Sequence, residues 1–261
     1  MILLRHELRQ GRTALAIWTA VIAGMMGVCI LIYPEMAEQM GAVSSMFADM
    51  GSFSAAFGMD RINFGEFLGF FGVECGNILG LGGAFYAALL GISSLAKEER
   101  DQTAEFLLTH PVSRSRIVTE KLLAILLQLL ILNLFAVGVS AGTILLIQEK
   151  PAVDTLLLLF LAYFLLQVET AALCFGISAF LNRGGLGIGL GIAALLYFMN
   201  LIANLTEQAA FLKYITPFGY TEGADIITEG SIAIPYLSVG MAMAAVGVAA
   251  AFYWYTRKDI K

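Results

Sequence analysis

The stretch KEERDQTAEFLLTHPVSRSRIVTEK, Lys97 to Lys121, decides how the chain is read. Its 25 residues carry 10 of the 35 charged side chains of a 261-residue sequence that is 59% hydrophobic and only 13% charged. A soluble domain carries about a quarter charged residues, and the mean hydropathy of +0.82 points the same way. On both sides of the charged stretch lie apolar runs of about 20 residues, the length a helix needs to cross a bilayer. The fold class is therefore an all-α integral membrane protein, and the charge is gathered in a loop between spans.

Six runs qualify, over 13–33, 72–95, 122–147, 155–181, 186–205 and 234–255. Alternating the connections puts residues 1–12, 96–121, 182–185 and 256–261 on one side, with 12 of the 15 Lys and Arg; only Arg61, Lys150 and Lys213 fall on the other. The positive-inside rule makes the first side cytoplasmic, with the N- and C-termini there. The outer side sums to −8 and the inner to +5. The whole chain, 1–261, reads as one transmembrane domain. The net charge of −5 gives no footing for nucleic acid or for a polybasic membrane anchor. Cys29, Cys75 and Cys174 lie in apolar runs without CxxC spacing and read as packing residues.

The shorter segments have their own physics. Ile2, Leu3, Leu4 and Leu8 among basic residues describe a short helix along the inner leaflet over 1–12. In the outer segment 34–71, Met36, Met40, Val43, Phe47 and Met50 recur at helical spacing, an amphipathic helix on lipid or on the spans. Gly72, Gly76, Gly80, Ala84 and Ala88 step by four along the second run, and small residues at that spacing let another helix come close. Gly138 with Gly142, and Gly187 with Gly191, repeat the spacing.

Within the charged loop, Asp101 can cap a short helix to about Thr109 that carries Glu105 and an apolar knob of Phe106, Leu107 and Leu108. Pro111 stops it and suits the first turn of a second helix bearing Ser113, Arg114 and Arg116. An apolar knob ringed by charge suits a docking surface, where burial supplies affinity and ion pairs set register. A solvated positive loop would share the same composition. Beyond this physical reading, Glu98, Glu99, Thr103, Glu105 to Leu108, Pro111 to Arg114, Ile117 and Lys121 resemble a motif of type-2 ATP-binding-cassette (ABC) transporter permeases, roughly E-x-x-x-G-T-x-E-x-L-L-x-x-P-V-S-R-x-x-I-x-x-x-K. The motif occupies the same place in that family, between the second and third spans, and the six-span layout is similar over the whole chain. Gln102 departs from it, standing where the family has Gly.

The resemblance implies an exporter permease in a prokaryotic cell membrane, embedded in lipid. It implies pairing with a second permease copy, identical or not, and binding of two copies of a separate ATPase. Glu98, Glu99, Thr103, Glu105, Phe106, Leu108, Pro111, Arg114 and Lys121 would form the coupling loop, and residues 206–233 a re-entrant outer loop shaping the exit. ATP and Mg would be bound by the partner, with no cofactor held by this chain. The residues agree: no lysine follows a glycine anywhere, so there is no G-x-x-x-x-G-K-[ST] phosphate loop. No catalytic constellation stands out either. His6 and His110 are the only histidines, with no G-x-S-x-G elbow and no metal-ligand cluster.

Glu169 lies near the middle of the fourth run, where an ionisable side chain costs at least a few kcal/mol (roughly 2.5–3.5 on insertion scales) and points to a function or a buried partner. Gln167, Asn133 and Asn200 sit at comparable depth. The four can line a polar cavity or substrate path, or hydrogen-bond between helices. A proton-coupled secondary transporter using Glu169 is the competing reading. The mostly apolar run of the path favours an amphiphile as cargo over a bare ion.

Overall fold

A computed structural model of the chain describes residues 2–49, 51–59, 61–63, 65–96, 113–181 and 185–257. Every regular element among them is helical, and six helices are long and apolar enough to cross a membrane. They are α1 (Ile2–Asp49), α3 (Phe67–Ser94), α4 (Arg114–Leu146), α5 (Val153–Ser178), α6 (Leu186–Leu205) and α8 (Ile234–Arg257). Among the described residues there are also two short α-helices, α2 (Ser52–Ala56) and α7 (Gly223–Glu229), and a 3-10 helix over Glu207–Tyr214.

The six apolar runs become six helices, but not with the expected ends. The first run, read as ending before Pro34, continues through it to Asp49. The short helix expected over 1–12 is the opening three turns of the same rod. A proline removes one backbone donor, and a membrane helix tolerates that loss where neighbouring groups compensate. Likewise α4 starts at Arg114, two turns before the apolar run does, because Ser113 supplies an N-cap whose Oγ accepts from the Arg116 amide at 3.4 Å. Pro111, expected in the first turn of that helix, lies outside the described residues.

Packing radiates from α5. It lies along α3 and α8, while α1 lies along α4, and α6 closes on α3. About 61% of the most apolar stretch of α3 and 56% of that of α5 are buried within the chain, against 11% for α8. Ile17, Val21 and Met25 on α1 and Ile234, Val239 and Val246 on α8 face outward, as lipid-contacting surfaces do. The polarity of the contacts fits alternate crossing. Residues 76, 83 and 91 of α3 meet 163, 167 and 171 of α5 in rising order, so these two even-numbered spans run the same way. Residues 185 and 189 of α6 meet Ile92, whereas Tyr197 reaches back to Asn77, so α6 opposes α3.

The predicted glycine stripe bends. The turn Phe71–Cys75 of α3 is a π-helix, whose extra residue swings the register. Gly72 therefore meets Gly223 and Ile227 of α7, while Gly76 and Gly80 lie under the Tyr163 ring of α5. Around Gly138, Gly142, Gly187 and Gly191 no atom of another described element lies within 4 Å of where a Cβ would sit, so among the described residues these glycines do not bring helices together. The outer connection between α6 and α8 turns inward. Residues 216–224 are buried without interruption, through a 3-10 turn at Pro217–Tyr220 capped by Thr216. Phe218 there packs with Ala84, Leu166 and Leu196.

Candidate functional site

Of the predicted coupling-loop residues, Glu98, Glu99, Thr103, Glu105, Phe106, Leu108 and Pro111 lie outside the described residues. Arg114 and Lys121 are described, and they show how the loop is held at its ends. Lys121, only 1% exposed, donates its ammonium to the Ser94 carbonyl at 2.8 Å and to Glu7 Oε1 at 2.9 Å. Ser94 is the last residue of α3, so its carbonyl has no helical partner and sits at the negative end of the helix dipole. A lysine there satisfies the orphan acceptor and the dipole together, and Glu7 supplies the counter-charge that burial demands. Next to it, Glu120 accepts from the Leu4 amide at 3.0 Å and from Arg116 Nε at 2.8 Å. Arg114 reaches the Thr256 carbonyl at 3.4 Å. One layer thus ties α1, α3, α4 and the end of α8 together where the loop leaves and re-enters the bundle. Glu7 and Glu120 were not anticipated, although Glu7 is the one acid among Arg5, Arg9 and Arg12.

The four polar residues of the bilayer interior do not form one cavity. Asn133 on α4 donates to Gln167 Oε1 on α5 at 2.6 Å, and Gln167 Nε2 donates to the Leu79 carbonyl of α3 at 3.2 Å. Gly83 leaves room for this amide, since a Cβ there would collide with it. The pair is a sealed bond across three helices, the interhelical alternative of the sequence reading. Glu169 faces the other way, toward α8. It is fully buried, and neither carboxylate oxygen has a hydrogen bond of normal geometry; the hydroxyl of Tyr220 is its polar neighbour. Gly240 of α8 covers the carboxylate so closely that a Cβ would overlap both oxygens. Two turns further in, a Cβ on Gly176 would lie 2.6 Å from the Gly247 carbonyl, so α5 and α8 meet backbone on backbone.

Asn200 belongs to a third place, near the outer face. Its Nδ2 donates weakly to Glu222 at 3.4 Å, and Asn204 donates to the same carboxylate at 2.7 Å and to the Ala56 carbonyl at 3.1 Å. Arg61 pairs with Asp225 and lies 3.7 Å from Glu222, and Lys213 lies 3.6 Å from Asp225. Two of the three outer basic residues are thus spent on this pair of acids. Burial pushes the Glu222 carboxyl above its usual range, opposed by the Asn204 bond and by the Lys213 and Arg61 charges. Beside it lies a cavity of about 50 Å³ bordered by Phe57, Asn77, Tyr163, Tyr197, Asn200 and Glu222. In the sequence Glu222 entered only the charge sum of the outer side, since a carboxylate in an outer loop gives no sign of burial.

Six apolar helices of alternating direction and a bundle clamped at the edges of a charged inner loop define a multi-pass membrane protein with the layout its motif suggests. No curated protein sequence matches the chain. The family model described as ABC-2 family transporter protein matches residues 1–260, nearly the full length. The chain therefore belongs to the ABC-2 transporter family and is a membrane-embedded permease of an ABC transporter.

Proposed function

We propose that this permease forms the translocation path of an exporter, driven by a separate ATPase that binds ATP and Mg and docks on the loop 97–112. The observation that carries the reading is the Lys121 clamp. A motor can move the spans through a loop only if the ends of that loop are fixed to them, and here the last carbonyl of α3, the second turn of α4 and the first turns of α1 share one buried ammonium. Force applied to the loop reaches three helices without slack. Two ATPase copies would then serve two permease copies, in the cell membrane of a prokaryote.

An amphiphilic cargo is supported by the apolar character of the bundle. A groove of about 570 Å³ runs between α5 and α8, bordered by Leu173, Ile177, Met243 and Val246 beside the glycine contact. That is within the range of sites for drug-sized molecules. Glu169 fits the same scheme as a group that acquires partners only when α5 and α8 separate. Family membership favours this ATP-driven reading over a proton-coupled secondary transporter.

The test is co-purification of the permease with a candidate ABC ATPase, reading complex formation and ATP turnover for wild type, Glu105→Arg and Leu108→Asp. Loss of the partner by either variant, with its membrane fold retained, is the expected result. Binding equal to wild type in both variants would remove the loop from the docking surface, and no binding by wild type would remove that ATPase as the partner.

A further inference from the structure

The first turns of α1 carry a second charge pattern besides the clamp. The Leu4 amide and Glu7 point into the clamp, toward Glu120 and Lys121. Arg5, Arg9 and Arg12 follow at steps of four and three along another side of the same helix, and all three are exposed. None of them pairs with an acid among the described residues. The two carboxylates of this layer are matched elsewhere, Glu7 with Lys121 at 2.9 Å and Glu120 with Arg116 at 2.8 Å. His6 lies beside the stripe and is exposed as well. A chain of net charge −5 thus carries a local surplus of three positive charges. The stripe stops where the apolar part of α1 begins. Ile17 is five residues past Arg12, about 7.5 Å along the axis, and Ile17, Val21 and Met25 face outward as lipid-contacting side chains. A headgroup layer is about 5–8 Å deep on each side of a bilayer. Arg12 and Arg9 therefore stand at the depth of lipid phosphates, and Arg5 lies about one Debye length beyond Arg12.

From this we infer that the stripe is a docking site for the headgroup of an anionic phospholipid, in the leaflet at this end of the bundle. Guanidinium forks match phosphate oxygens in pairs and stay charged at any working pH. A zwitterionic headgroup brings its own cation and would leave the surplus uncompensated. A free anion would meet the charge and gain nothing from the exposed apolar face next to it. Lys121 and Ser94, where the charged loop re-enters and leaves the bundle, lie on the side of α1 that Glu7 faces, so the arginines are not spent on holding that loop. Bound there, such a lipid fixes the depth of the foot of α1. The inference does not depend on the ATPase reading.

The experiment places the full-length chain in nanodiscs of phosphatidylcholine with a minority of phosphatidylglycerol and compares spin-labelled forms of the two lipids. The immobilised fraction of each label gives the preference of the protein for one headgroup over the other. Wild type should prefer phosphatidylglycerol by at least about fivefold, the effect of a single arginine near an anionic surface. In the triple variant Arg5→Gln, Arg9→Gln, Arg12→Gln the preference should fall below about twofold, with thermal unfolding unchanged. Arg12→Gln alone should lower it in part, so a folding defect in the triple variant does not decide the outcome. Lys150→Gln, which removes an exposed charge from the other end of the bundle, should keep the wild-type preference, and so should added inorganic phosphate. Equal preference in wild type and both arginine variants, or an equal fall in Lys150→Gln, would overturn the inference. Loss of the preference to inorganic phosphate would overturn it in favour of a free-anion site. Capture of an ABC ATPase by wild type and not by the triple variant, with no headgroup preference in either, would give the stripe to that protein instead.

Discussion

At the end of the bundle where the charged loop attaches, a buried ammonium has two acceptors within 2.9 Å, whereas in its middle a buried carboxyl has no hydrogen bond of normal geometry among the described residues. Lys121 and Glu169 are equally hidden, yet one is a finished piece of structure and the other is not. The difference lies in what surrounds them. Lys121 meets a helix end, where an orphan carbonyl is available, and a glutamate one element away. Glu169 meets a glycine and a tyrosine hydroxyl between two helices whose own backbone groups are already paired. A buried polar group without a partner calls for an explanation, and the proposal made above for Glu169 is that separation of α5 and α8 supplies one.

That contrast can be broken most forcefully at Lys121. Lys121→Met takes the ammonium from Glu7 and from the Ser94 carbonyl, and destabilisation of about 3–5 kcal/mol is expected, read as loss of folded protein on heating in detergent. The double variant Lys121→Met, Glu7→Leu should recover part of it, because no charge is then left buried alone. A smaller effect is expected at Gly240→Val, which drives a side chain into the Glu169 carboxyl and should cost about 1–3 kcal/mol. Adding Glu169→Ala should relieve that strain, whereas it would do nothing for Lys121→Met. Gln167→Leu removes two interhelical bonds, each of the kind worth about 0.6 kcal/mol in membranes, and a fall of about 1 kcal/mol in unfolding free energy is expected. Glu169→Gln sharpens the contrast most finely. With no bond to lose, the folded state should change by less than about 0.5 kcal/mol on the scale of ordinary neutral substitutions, while transport by the assembled complex should fall. A large loss of stability in Glu169→Gln would show that the carboxyl is structural after all.

Much of the fold was legible because bilayer physics writes itself in long runs. Uninterrupted apolar stretches marked all six helices, and alternate crossing predicted the relative directions that the contacts show. Helix ends were less legible, since Pro34 and Ser113 act through backbone hydrogen bonds that composition does not weigh. In the site, Lys121 stood out only as part of a motif, and nothing in its neighbourhood names Glu7, 114 residues away, as its partner. Asn133 and Gln167 were expected at similar depth and do meet, but depth alone also grouped them with Glu169 and Asn200, which face other helices. Gly240 and Gly247 are lost among the alanines of α8, because close approach is a property of two helices and the sequence shows one at a time.

The continuous α1 has a mechanical consequence. At 1.5 Å per residue the rod from the Leu4 contact to Asp49 is about 68 Å long, more than twice the hydrocarbon thickness. A pivot of about 5° at its clamped foot sweeps the far tip by about 6 Å. A small angular input at the clamped end is thereby geared into a larger displacement at the other, and Pro34, the one proline within the helix, is where bending would absorb part of it.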